Sequence, residues 1–117
     1  MTHEPWDLTM TLNQYQGEAL KTAQVPAECT PNGLPVYYAM GLAGEAGEYL
    51  DKVKKAWRNQ KPLDRDAALR ELGDVLWYIA TNAHALGATL EEVASMNIAK
   101  LADRHARGVI KSEGDDR

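Results

Sequence analysis

The chain has 117 residues, of which 44% are hydrophobic and 26% are charged, and its formal net charge is −4. This length supports one domain with a modest core, so we expect a single domain over residues 1–117. The acidic balance, with Lys and Arg spread along the chain, argues against a nucleic acid partner. No apolar run approaches the roughly 20 residues that cross a bilayer, so no membrane partner is expected.

The cellular compartment is predicted from the cysteine content and the first residues. Cys29 has no second cysteine to pair with, so a reducing compartment is the default. The N-terminal residues lack the basic start and apolar stretch of a secretory signal. We therefore expect a cytoplasmic protein in which Cys29 is a passive, small apolar residue.

The first half of the chain contains two predicted helices and no strand pattern. The first helix begins at Thr11, because Thr11 and Gln14 have the spacing of a capping box. A connector over residues 24–34, with two prolines and an Asn-Gly pair, leads to a second helix over about residues 35–58 with Pro35 in its first position. The core stripe predicted for the second helix is Leu42, Ala46, Leu50, Val53 and Trp57.

A third helix is predicted between an N-cap at Asp64 or Asp66 and a stop at Gly87. The short break before it makes helices two and three an antiparallel hairpin. The side chains it is expected to bury are Leu69, Leu72, Leu76, Ile79, Ala83 and Leu86.

The fourth helix is predicted to begin at a second capping box, Thr89 with Glu92. Its inward side is expected to be Leu90, Val93, Ala94, Ile98 and Leu101. We expect the helical core to occupy about residues 11–107 and residues 108–117 to form a flexible tail. The predicted fold class is all-α, a four-helix bundle-like arrangement whose up-down core hairpin is completed by oligomerisation.

Two pairs of acidic residues have i, i+3 spacing on the helices of the hairpin. Glu45 and Glu48 lie on helix two, and Glu71 and Asp74 lie on helix three. Each pair therefore shares one helix face, beside the apolar stripe. Counted back from the loop at ~1.5 Å per residue, both pairs lie at about the same height. The four carboxylates are expected to meet at one level of the hairpin.

Carboxylates at one place repel one another unless a cation neutralises them. A set of oxygen ligands without Cys or His suits Mg²⁺, with Mn²⁺ as a substitute, and does not suit Zn²⁺. Small residues beside the acids leave space for a ligand or a close helix: Gly41, Gly44, Gly47 and Gly73. Either acidic pair alone is typical of a solvated helix surface, where Glu48 would pair with Lys52. Both together favour a metal site.

These residues resemble the signature of the all-α NTP pyrophosphohydrolase superfamily, and specifically its MazG-like branch. The similar segments are GLAGEAGE at residues 41–48, ELGDVLWY at residues 71–78, and MNIAKL at residues 96–101 followed by Arg104. The resemblance covers about residues 11–108. The double acidic motif together with the Asn-x-x-Lys element is a specific signal.

The resemblance implies a Mg²⁺-dependent enzyme that hydrolyses (deoxy)nucleoside triphosphates to the monophosphate and pyrophosphate, in nucleotide-pool house-cleaning. It also implies a homodimer or a dimer of dimers. Glu45, Glu48, Glu71 and Asp74 would be the metal ligands. Glu45 or Glu48 would in addition orient or deprotonate the attacking water.

Six further residues are expected to bind the substrate: Lys52, Lys55, Tyr78, Asn97, Lys100 and Arg104. Lys52 and Lys55 lie near the acids on helix two and could bind substrate phosphates. The alternative is that they form ordinary ion pairs with acidic neighbours. Tyr78 lies one turn beyond Asp74 and could stack on or bond to the nucleoside. The alternative is that it is an ordinary core residue. Asn97, Lys100 and Arg104 share one edge of helix four, which could contact the phosphate or the sugar. The side-chain amide of Asn97 lies among apolar neighbours there and needs hydrogen-bond partners.

Two other functions stay open at this stage. Phosphoribosyl-ATP pyrophosphohydrolase would use the same four acids, although the residues around both motifs resemble the MazG-like branch more closely. A non-enzymatic helical interaction module would leave the acids as solvated faces. Such a module would release no pyrophosphate from any nucleotide in the presence of Mg²⁺.

Overall fold

The computed structural model describes residues 6–23 and 27–108, and this part of the chain consists of helices and turns without a strand. Its α-helices are α1 at Leu12–Leu20, α2 at Val36–Arg58, α3 at Arg65–Ala85 and α4 at Leu90–Arg107. The predicted all-α class is confirmed. None of the described helices is long and apolar enough to span a membrane.

Between α1 and α2 the described residues form two short 3-10 turns, Ala27–Cys29 and Pro31–Gly33. The predicted Asn-Gly turn is confirmed, because both of its residues have a positive φ. Outside the described residues lie residues 1–5, residues 24–26 of the predicted connector, and residues 109–117 of the predicted tail. The first residue of that tail, Gly108, is the C-cap of α4.

Side-chain caps fix the predicted starts of three helices. The Thr11 hydroxyl accepts a hydrogen bond from the Gln14 amide at 3.1 Å, and the Gln14 side chain accepts one from the Thr11 amide at 2.7 Å. Thr89 and Glu92 form the same reciprocal pair at the start of α4. The carboxylate of Asp64 caps α3. Because these signals are local, the sequence predicts them correctly.

Glycines in the left-handed region end the last two helices. Gly87, with φ 76°, follows the end of α3, and Gly108, with φ 72°, is the C-cap of α4. At the start of α2 the prediction was one residue off, since Pro35 is the N-cap rather than the first helical residue. Leu34, the residue before Pro35, is extended, and the helix begins directly after Pro35.

The helices α2 and α3 form the predicted antiparallel hairpin, and α1 and α4 pack against α3. Near one end of the hairpin the Asn82 side chain donates to the carbonyl oxygens of Tyr38 and Tyr78, at 2.9 and 2.6 Å. Towards the loop, Lys52 approaches Glu71. The packed line between the two helices, called the seam below, therefore runs from Tyr38 to Lys52.

The buried core lies on the other side of α3 and is built from small residues. Its members are Ala19, Ala80, Ala83 and Leu90, contributed by α1, α3 and α4. The partly buried side chains packed around them are Tyr15, Trp77, Ile79 and Ala88. Small side chains let the three helices approach closely, so a limited apolar area is enough to order this junction.

One buried amide joins all three elements of this core. The Gln16 side chain is 5% exposed, and its Nε2 donates to the carbonyl oxygens of Ala80 and Ala88 at 3.1 and 3.2 Å. Its Oε1 accepts a hydrogen bond from the Leu90 amide at 3.1 Å. All of these groups are paired, so the polar atoms cost little to bury and the amide fixes the register of α1 against α3 and α4.

The predicted core stripe of α2 is not buried by the chain. No residue of α2 is buried, and Leu50 and Trp57 are 63% and 80% exposed. The prediction that this stripe forms the core was wrong for Ala46, Leu50 and Trp57, which are exposed, whereas Leu42 and Val53 are half-buried. The reason is that α2 packs mainly along α3, with the neighbouring face that carries Glu45 and Tyr49. Part of the predicted stripes of α3 and α4 is also exposed, including Leu86 and Ile98.

We predict that Gln16→Ala lowers the free energy of unfolding by about 2–3 kcal/mol, because it leaves buried backbone groups without partners. The matched control is Gln14→Ala on the same helix, which removes one exposed capping contact and should cost about 1 kcal/mol or less. Urea unfolding at a fixed protein concentration measures both values. Equal losses for the two variants would contradict the role assigned to Gln16.

Candidate metal centre

Acidic residues from both helices of the hairpin meet in the seam. Glu45 lies on the face of α2 that packs on α3, and Glu71 and Asp74 lie one turn apart on α3. One carboxylate oxygen from each of these residues lies within 4.8 Å of the other two. Glu45 and Glu71 are half-buried, and Asp74 is exposed. The three residues are called the acidic group below.

The acidic group has the size and chemistry of a site for a divalent cation. In an octahedral site with Mg²⁺–O distances of about 2.1 Å, ligands on opposite sides of the ion are about 4.2 Å apart. The oxygens of the acidic group lie within 4.8 Å of one another, which is compatible with this spacing, and all are carboxylate oxygens, which hard cations prefer. Exposure of Asp74 leaves one side open for water or phosphate oxygens. A divalent metal ion therefore fits these residues.

The fourth predicted acid, Glu48, lies outside the acidic group but close to it. Glu48 is exposed on α2, one turn after Glu45. Its negative charge contributes to the raised pKa of Glu45, so the two carboxylates are near neighbours. The structure thus brings three of the four predicted ligands together and places the fourth beside them.

The electrostatics of the acidic group favour a cation. Partial burial raises the pKa of Glu45 above its ordinary value, and the charges of Asp74, Glu71 and Glu48 raise this pKa further. Without a positive neighbour, the ionised form of Glu45 is therefore less favourable in the folded chain than in water. A bound divalent ion would reverse this effect.

The two predicted phosphate-binding lysines differ in their surroundings. The Nζ of Lys52 lies 4.0 Å from an oxygen of Glu71 across the seam, so this lysine borders the acidic group. Lys55 forms an i, i+4 ion pair with Asp51 at 2.8 Å, and Lys54 lies 3.4 Å from the same carboxylate. The ordinary surface pairing considered for the lysines is therefore seen for Lys55.

Tyrosines border the acidic group on the side away from Lys52. Burial raises the pKa of Tyr78, and the neighbouring Tyr37 hydroxyl and the charges of Glu45 and Asp74 raise it further. Burial also raises the pKa of Tyr15 on α1, followed by the charge of Asp74. The predicted Tyr78 therefore lies beside the acids.

Tyr15 and Tyr37 were not among the predicted site residues. A signal existed for Tyr37, because Tyr37, Gly41 and Glu45 follow one another at four-residue spacing on one face of α2. No comparable signal existed for Tyr15, because its position depends on how α1 packs on α3.

The predicted residues of α4 do not join the acidic group within one chain. Asn97 and Lys100 line a shallow cavity of about 460 Å³ together with Val93 and Met96. Arg104 is buried, with 5% of its surface exposed. In the part of the chain that the structure describes, α4 packs against α1 and α3.

Comparison with known proteins agrees with this geometry. The family model of the MazG nucleotide pyrophosphohydrolase domain matches residues 36–109, which contain both acidic pairs. The chain belongs to the MazG family. A curated relative, the Gene 37 protein of Mycobacterium phage L5, is 41% identical over 114 residues, which cover 92% of this chain and 100% of the relative. No solved structure matches the chain.

Membership of the MazG family implies a nucleotide substrate and a divalent metal ion. The acidic group provides carboxylate ligands for such an ion. The matched range begins at the start of α2 and includes α3 and α4. The MazG match therefore contains the whole seam, whereas α1 lies before it.

We predict that Glu45→Gln raises the melting temperature of the metal-free protein at pH 7 to 8, because the ionised carboxylate is disfavoured in the fold. This difference in melting temperature between the variant and the wild type should shrink as the pH falls through the raised pKa of Glu45. The wild-type carboxyl is then protonated in the folded state, and its unfavourable charge is lost. Thermal unfolding in chelator measures this. Glu28→Gln, an exposed change outside the hairpin with the same loss of charge, is the control. A destabilised Glu45→Gln variant would contradict the prediction.

Proposed function

We propose that the chain hydrolyses (deoxy)nucleoside triphosphates to the nucleoside monophosphate and pyrophosphate, with Mg²⁺ as the metal and Mn²⁺ as a substitute. The observation that carries this proposal is the meeting of Glu45, Glu71 and Asp74 in the seam of a MazG domain. We place its physiological role in cleaning the cytoplasmic nucleotide pool.

The carboxylates of Glu45, Glu71 and Asp74 would hold the metal ion. When bound, the ion supplies neutralisation of the triphosphate charge and polarisation of the phosphorus that is attacked. We assign Glu48 to orienting or deprotonating the attacking water, because it is exposed beside the acidic group. Glu45 is the alternative base, and a fourth metal contact is the alternative role of Glu48.

The remaining predicted residues divide along the seam. Lys52 borders the acidic group and is assigned to the leaving phosphates. Lys55 is proposed to assist only when its ion pair with Asp51 opens. Tyr78 is assigned to the nucleoside, because it lies at the opposite side of the acids.

A partner subunit completes the proposed site. The apolar face of α2 and the cavity on α4 are exposed in the single chain, which supports a homodimer or a dimer of dimers. Asn97 and Lys100 would then approach the acidic group of the neighbouring subunit. Arg104 was predicted on the same helix edge, but it is buried in the single chain and would have to become exposed to act with them.

The experiment that tests the proposed function is a screen for pyrophosphate release from the common NTPs and dNTPs, modified nucleotides and phosphoribosyl-ATP. Release from at least one nucleoside triphosphate, dependent on Mg²⁺ or Mn²⁺, is expected. Release from phosphoribosyl-ATP alone would assign the chain to the other branch of the superfamily. No release from any substrate would indicate a non-enzymatic module.

We predict that Glu71→Gln lowers turnover by about 100-fold, because it removes a ligand charge while keeping the side-chain shape. Asp51→Asn is the matched control, since Asp51 is an acid of the same hairpin that pairs with Lys54 and Lys55 instead. Initial rates of pyrophosphate release measure both. Near-normal turnover of the Glu71→Gln variant would reject Glu71 as a ligand.

We predict that Leu50→Glu converts the assembly to a 12.9 kDa monomer with little activity, because it places a charge in the exposed apolar face of α2. Lys54→Glu adds a glutamate at a polar position of the same helix and should leave the assembly intact. Light scattering at micromolar concentration measures the mass. A wild-type chain that is active as a monomer would contradict the proposed assembly.

A further inference from the structure

The ring of Tyr78 lies directly against the backbone of α2 at Gly41. A Cβ atom at Gly41 would overlap ring atoms Cε1, Cζ and Cδ1 of Tyr78. By contrast, a Cβ at Gly44, Gly47 or Gly73 would meet no atom within 4 Å. Among these glycines near the acidic group, only at Gly41 does another residue occupy the space that a side chain would take.

Neighbouring groups leave the Tyr78 ring little freedom. The Trp77 ring contacts it edge-on, with 4.9 Å between ring centroids and an interplanar angle of 85°. The Asn82 side chain joins the backbone of Tyr78 to that of Tyr38 on α2. The phenol is thus held between α2 and α3, with the Tyr37 hydroxyl beside its own.

This tyrosine pair lies at a defined distance from the acidic group. On α2, Gly41 precedes Glu45 by four residues, and on α3, Tyr78 follows Asp74 by four residues. Along the helix axes, Gly41 and Tyr78 therefore lie one turn, about 6 Å, from Glu45 and Asp74, and Tyr37 lies a further turn before Gly41. A triphosphate bound at the acidic group with its terminal phosphates towards Lys52 would extend its nucleoside towards Tyr78 and Tyr37.

We propose that Gly41 is a positioning residue for nucleoside recognition: its missing Cβ admits the Tyr78 ring, and this contact fixes Tyr37 and Tyr78 as one wall of the nucleoside subsite. The inference rests on the proposed function and deepens it. Gly41 itself touches no substrate and acts through Tyr78. An alanine at this position pushes the ring out of its place and moves the wall relative to the carboxylates.

A purely structural role for Gly41 has different consequences. If the glycine served only to pack α2 on α3, alanine would lower stability and weaken metal binding together with turnover. A positioning role instead affects substrate affinity and nucleotide preference, and leaves Mn²⁺ binding to the acidic group intact. The two roles are separated by measuring KM, kcat and Mn²⁺ affinity in the same variants.

The central comparison is Gly41→Ala against Gly17→Ala on α1, since both add one methyl group to a helix and only the first meets the Tyr78 ring. For Gly41→Ala we expect KM for the best nucleotide to rise by roughly 10-fold to 100-fold, with kcat within about threefold of wild type. For Gly17→Ala we expect both constants to stay within about twofold of wild type. Preference among NTPs and dNTPs should flatten in Gly41→Ala alone.

A double variant tests whether Gly41 acts through the tyrosine. In the Tyr78→Ala background there is no ring to displace, so adding Gly41→Ala should change KM by less than about twofold. If Gly41→Ala raises KM as much in the Tyr78→Ala background as in the wild type, the proposal is overturned. An unchanged KM in the Gly41→Ala single variant would overturn it too. Loss of Mn²⁺ binding in Gly41→Ala, measured by calorimetry, would overturn it as well.

Two further measurements keep the test decisive. If Gly41→Ala does not fold, Tyr37→Phe takes its place, and a KM unchanged from wild type would overturn the proposed wall. If wild type releases no pyrophosphate, the proposed hydrolysis fails by itself, and Kd for an α,β-methylene triphosphate with Mg²⁺ replaces KM in the same variants. No binding of any such analogue by wild type would reject both proposals.

Discussion

The packing of α2 along α3 is the interaction on which the other features of the molecule depend. It is the only extensive contact of α2 in the described residues, and it places Glu45 on a packed surface opposite Glu71 and Asp74. Burial of Glu45 and repulsion within this group both oppose the packing, and both raise the pKa of Glu45. The hairpin is held on both sides of the acids, by Asn82 near one end and by the approach of Lys52 to Glu71 nearer the loop.

The two sides of α3 have separate roles. One side joins α1 and α4 through small buried residues and the fully paired amide of Gln16, so its geometry is fixed without a ligand. The other side carries acids, tyrosines and a close glycine contact, and its groups are only half-buried. Since both sides belong to one continuous helix, the rigid junction fixes the axis from which the acidic group projects. A site built on such a support keeps its geometry while substrates come and go.

Locally determined features were predictable from the sequence, and features that depend on tertiary or quaternary contacts were not. Thr11, Asp64 and Thr89 cap their helices because each cap involves residues only three apart. The meeting of acids from two helices follows from helical rise and a short loop. Leu50 and Trp57 were predicted to be buried but are exposed in the single chain. Helical periodicity shows that a face is apolar, but it does not show what covers that face. Tyr15 joins the site only through the docking of α1, for which the sequence contains no local signal.

The charge balance of the site links the acidic group to the exposed faces. A triphosphate would bring several negative charges to a place where three carboxylates already meet, and among the described residues Lys52 is seen to border them. One divalent ion and one lysine would leave the combined charge strongly negative, which is consistent with the proposal that a partner subunit adds cations. The proposed two-fold partner would provide them twice, because an isologous contact would deliver the same α4 edge to both sites. The same contact would cover the apolar side of α2, so the proposed assembly accounts for the stability of the hairpin and for the charge of its substrate together.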